Sequence, residues 1–148
     1  MNAIAQPGIE QVPGALIELG RYIETVEEAY EFMLAYAAQG RRDERGATGP
    51  GIRHFLNRLD AALGGLPRCA AGACLERGMK DDCIGMLAVL AEDARRAHAL
   101  VRLVLSRETI GSQLADNLNA SIHLRALLTD LFVLDESLKV ATAARPGR

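Results

Sequence analysis

Apolar residues recur along this chain at alternating steps of three and four, and that spacing, sustained over most of its length, commits it to amphipathic helix. The clearest run is Leu16, Leu19, Ile23, Val26, Tyr30, Met33 and Ala37, widened by a second row of Ala15, Tyr22, Ala29 and Tyr36. It predicts a helix from about Ala15 to Ala38, closed by Gly40. No stretch alternates β-branched or aromatic residues with polar ones, and no Asn-Gly or Asp-Gly hairpin signal occurs, so strands are not expected.

Gly40 to Pro50 reads GRRDERGATGP, which is polar, punctuated by glycine and without an apolar anchor. It predicts an exposed, mobile loop over 40–50 that delivers Pro50 as the first residue of a second helix. Phe55, Leu56, Leu59, Ala62, Leu63 and Leu66 form the inner face of that helix; Gly64, Gly65 and Pro67 predict a kink, and a shorter piece from Arg68 to Arg77 completes the arm. Asp81 and Asp82 are placed to cap a third helix, with the seam Cys83, Leu87, Leu90, Ala94, Ala97, Val101 and Val104. A weak boundary, Ser106-Arg107-Glu108-Thr109, separates it from a fourth helix that turns Ile110, Leu114, Leu118, Leu124, Leu128, Leu131, Phe132 and Leu138 inward.

Four arms of similar length predict an all-α fold, an antiparallel up-and-down four-helix bundle with its second arm kinked near Gly64-Pro67. At 148 residues the chain fits a single bundle domain over 15–140, with a flexible N-terminus at 1–14 and a disordered tail at 141–148.

Composition narrows the function classes. A net charge of −2, no Trp and only 4% aromatic residues argue against a nucleic-acid partner, so Arg95, Arg96, Arg102 and Arg107 read as a solvated face. The longest apolar stretch, Ile84 to Ala91, falls short of the roughly 20 residues that span a bilayer, and no membrane association is expected. The opening MNAIAQPGIEQVPG has neither a basic start nor an apolar core, and the three cysteines are an odd number; together they predict a cytoplasmic protein.

Few side chains suggest chemistry. On the third helix His98 falls in the row Ile84, Ala91, His98 and Leu105, at the edge of the apolar sector. On the fourth, Asn117 and Ser121 interrupt the apolar sector with Arg125 one turn on, whereas His123 shares a polar face with Asp116, Asn119 and Asp130. Two readings follow. Asn117 and Ser121 are either a buried register device, or, with His98 and Arg125, the wall of a pocket for a small polar or anionic ligand.

Cys69 and Cys74 sit in the Ala-rich elbow RCAAGAC near Arg68 and Arg77 and read either as inert packing in a tight elbow or as a thiol-redox pair with its pKa lowered by those cations; the cysteine spacing is not that of a metal site. Glu24, Glu27, Glu28 and Glu31 line one flank of the first helix. The residues three before His54, His98 and His123 are Gly51, Arg95 and Ala120, so the Glu-x-x-His pairs of a di-iron bundle are missing and neither metal nor cofactor is expected.

The segment Ala97-His98-Ala99-Leu100 is similar to the phosphoacceptor segment of histidine phosphotransfer domains, and the resemblance implies His98 as phosphoacceptor. It covers four residues. In that family Lys-Gly follows, the Gly exposing the imidazole; here Val101 and Arg102 occupy those places and predict burial.

The sum of these readings is a non-enzymatic accessory or regulatory protein that contacts another protein or itself. Apolar sectors wider than a bundle seam, with Tyr22, Leu34 and Tyr36 at the flanks of the first helix, predict a homodimer. The alternative is a ligand-binding or phosphotransfer bundle centred on His98 with Asn117 and Ser121.

Overall fold

A computed structural model describes residues 14–46 and 48–143 of the chain. Among them are five helices and no strand: α1 (Ala15–Ala37), α2 (Ile52–Glu76), α3 (Lys80–Leu105), α4 (Ser112–Asn119) and α5 (Ile122–Ala143). The expectations for the two termini fall largely on residues 1–13 and 144–148, which lie outside the described residues. Residues 141–143, assigned to the tail by sequence, continue α5.

One apolar core joins all five helices. α1 lies against α2, α2 against α3, and α3 against α5, while α4 covers part of α1. The spacing of α1 translates directly into burial: Leu19, Ile23, Val26, Ala29, Met33 and Tyr36 are enclosed. Leu56, Leu59, Leu63 and Leu66 of α2 and Leu90, Ala94, Ala97 and Val101 of α3 are enclosed in the same core. No described helix is long and apolar enough to cross a membrane.

Several expectations are corrected. α2 runs unbroken through Gly64, Gly65 and Pro67, so the piece from Arg68 onward belongs to the same helix. Gly65 serves close approach to α1, whereas a side chain at Gly64 would meet only ordinary contact. A Cβ on Gly65 would stand 2.5 Å from the Tyr22 hydroxyl of α1, and one on Gly64 would stand 3.8 Å from the His98 ring of α3. Pro50 lies outside α2, whose N-cap is Gly51. Asp81 and Asp82 do not cap α3, which starts at Lys80; they occupy its first turn, where carboxylates favour the positive end of the helix dipole.

The predicted fourth helix is two helices. α4 stops at Asn119, and the Ser121 hydroxyl accepts a hydrogen bond from the His123 N–H, capping α5. Projecting one continuous helix across that break gives wrong faces on both sides. Asn117 is exposed, not seated in an apolar seam, and Phe132 is exposed, not inward.

The loop between α1 and α2 is anchored by polar contacts the sequence reading overlooked. Ser112 accepts a hydrogen bond from the Arg41 N–H through its hydroxyl oxygen, donates that hydroxyl to the Tyr36 carbonyl, and donates its own N–H to the Arg41 carbonyl. The Tyr36 hydroxyl donates to the Ile110 carbonyl at 2.6 Å, and Glu44 accepts from the Ile110 N–H at 2.9 Å. Arg53 pairs with Glu44 and donates to the carbonyls of Leu105, Arg107 and Glu108, covering the acceptor-rich end of α3.

Candidate functional site

His98 is half-buried on α3 and turns toward α2, where its Nε2 meets Asp60 Oδ1 at 2.7 Å. Arg102, one turn further along α3, reaches the same oxygen through Nε at 3.3 Å. Asp60 was missed by the sequence reading, because a lone carboxylate on the flank of α2 carries no signal until the neighbouring helix is placed. The result is an oriented imidazole beside an ion pair, open to water on one side.

The other members of the expected pocket are elsewhere. Asn117 accepts a hydrogen bond from Gln113 on the exposed side of α4, Ser121 caps α5, and Arg125 is exposed on α5. His98 faces α2, so the structure does not gather these four residues around one cavity. The buried polar side chain of this region is Asn119, whose Oδ1 is enclosed without a hydrogen-bond partner.

All three cysteines are buried and reduced. The Cys69 thiol points at the Ala15 carbonyl, 3.6 Å away, and burial pushes its pKa up to about 11. Cys74 is pushed up to about 12 by burial and by a hydrogen bond with Cys83 across the α2–α3 turn. Arg68 and Arg77 therefore do not activate these thiols; desolvation outweighs them. Among the described residues, no group of three or more His, Cys, Asp or Glu side chains is placed to hold a metal ion.

A second pair of acidic groups lies between α3 and α5. Asp130 faces Asp93, and burial followed by the neighbouring carboxyl raises its pKa to about 7. The Asp130 Oδ2 is enclosed without a hydrogen-bond partner, which likewise favours the protonated carboxyl.

A further feature is apolar. α5 buries Leu124, Leu127, Leu131, Leu134 and Leu138, yet its opposite face carries Ile122, Val133 and Val140 at 74%, 54% and 54% exposure. Ala126 and Thr129 continue that stripe at helical spacing, Glu136 interrupts it toward one flank, and Phe132, 48% exposed, stands on the same flank. Beside its first half is an open depression of about 390 Å3 lined by Ala120, Ile122, Arg125, Ala126 and Thr129. Sequence reading missed this face because a helix apolar on two sides shows little asymmetry; the signal available was Ile122, Ala126, Val133 and Val140 out of phase with the leucines.

The chain matches no protein-family model, no curated protein and no solved structure.

Proposed function

We propose that this protein is a non-enzymatic accessory or regulatory bundle that works through helix-face contact, first of all with a second copy of itself. Its four arms run up and down in antiparallel order, with α4 and α5 sharing the fourth. The observation that carries the reading is the outward stripe of α5, where apolar side chains lie opposite the core-facing leucines and none of the described residues covers them. Such surface costs free energy in water in proportion to its area, and covering it with a partner recovers that cost.

Light scattering across a micromolar concentration series is the test. A dimer mass that falls to a monomer in Val133→Asp, with helical circular dichroism unchanged, supports the reading. A wild-type monomer throughout the series rejects it.

A second reading is favoured by the His98–Asp60 pair. In the tautomer whose Nε2–H donates to the Asp60 carboxylate, Nδ1 carries the lone pair, the arrangement of a nucleophile for a phosphoryl group. Incubation with phosphoramidate would then give an acid-labile label absent from His98→Gln. No label removes that reading.

A further inference from the structure

We propose that the two copies meet through α5 in antiparallel register, about a two-fold axis that passes midway between Thr129 and Val133. The inference rests on the self-association reading and specifies its geometry. In this register Ile122 lies opposite Val140 of the second copy, Ala126 opposite Glu136 of the second copy, and Thr129 opposite Val133 of the second copy. The small side chains of Ala126 and Thr129 let the helix axes approach, and the depression beside them receives Val133 and Val140 of the second copy.

Charge supports this register over a parallel one. Arg125 and Glu136 are both exposed and lie on the same flank of the stripe, near its opposite ends. Rotation about the proposed axis keeps the flank and inverts the direction, so Arg125 of each copy meets Glu136 of the other, once at each end. A parallel pairing instead puts like charges at each level. The same rotation explains Phe132, which lies on that flank close to the axis and meets Phe132 of the second copy. The contact is isologous and closed, which limits assembly to a dimer.

Cysteine cross-linking and charge exchange test the register. Under mild oxidation Phe132→Cys is expected to give a disulfide-linked dimer, while Ile122→Cys gives none, because the two introduced thiols would be about 27 Å apart at 1.5 Å per residue. Arg125→Glu and Glu136→Arg are each expected to weaken dimerisation about tenfold, and the double exchange to restore it. A dimer that cross-links through Ile122→Cys, or that the double exchange fails to restore, overturns the antiparallel register while self-association stands. A protein that stays monomeric in light scattering removes both.

Discussion

α1 and α5 have similar inner faces and opposite outer ones. Each buries a row of large aliphatic side chains against the rest of the molecule. The middle of α1's outer face is Arg21, Glu24, Glu28 and Glu31, with exposed apolar residues only toward its ends at Ile17 and Leu34. α5 repeats apolar residues along its outer face as well. Inner burial accounts for folding in both helices, and the difference outside is what motivates the proposed contact through α5.

The largest effect should separate the two faces of α5 itself. Leu131 is fully enclosed, and Leu131→Ala is expected to cost about 2–5 kcal/mol of unfolding free energy in urea titration, the range for a large cavity-forming change. Val133→Ala, measured at a concentration where the protein is monomeric, should change stability by no more than about 0.5 kcal/mol. A comparable loss at both positions would mean that the outward face is covered within one chain.

Next in size is a contact at the far end of the α4–α5 arm. A Cβ on Gly111 would stand 2.9 Å from the Arg42 carbonyl oxygen and 3.1 Å from that of Arg41, both backbone atoms with little room to move. Gly111→Ala is expected to cost about 1–3 kcal/mol by pushing the α1–α2 loop off the start of α4. Amide hydrogen exchange should report it at Arg41 and Ser112, whose N–H groups donate across this contact. Unchanged protection there would show that the loop is anchored independently of the close approach.

A smaller effect depends on pH. The Asp130 carboxyl has its pKa raised from 3.8 to about 7, so between those values the folded protein holds a proton that the unfolded chain has released. Stability therefore falls as pH rises from about 4 to about 7, then levels. Water screens this partly exposed pair, which limits the loss to about 1 kcal/mol, well below the full shift. Asp130→Asn should flatten that part of the stability profile. A profile as steep as wild type would locate the titration elsewhere.

The sequence was legible where a helix obeys one phase from end to end. α1, and the seam of α3, were readable because each side chain's direction follows from its number. The fourth arm was misread for the same reason: the break at Ala120 and Ser121 lacks Gly or Pro, and only a capping hydroxyl marks it. Ser121 looked like a polar intruder in an apolar seam because it ends that seam. Pro67 misled in the other direction. Its missing N–H removes one helical hydrogen bond, yet Leu66, Cys69 and Ala70 on either side are buried and hold the helix through it. Of the candidate site, His98 was placed correctly at the edge of the core, but its partner Asp60 depends on how α2 and α3 are set against each other, which no local pattern encodes.

The smallest expected effect returns to the outer face of α1. Arg58 of α2 reaches Glu28 at 2.9 Å, with both side chains about half exposed. Ordering two long side chains in water offsets most of the attraction, so Arg58→Gln should lower stability by no more than about 0.5 kcal/mol, and high salt should erase the difference. The same arithmetic gives the proposed Arg125–Glu136 pairs a role in choosing orientation, leaving most of the affinity to the apolar stripe. Were Arg58→Gln to cost several times more, the acidic face of α1 would not be a simple solvent face, and its contrast with α5 would no longer support the proposed docking surface on the latter.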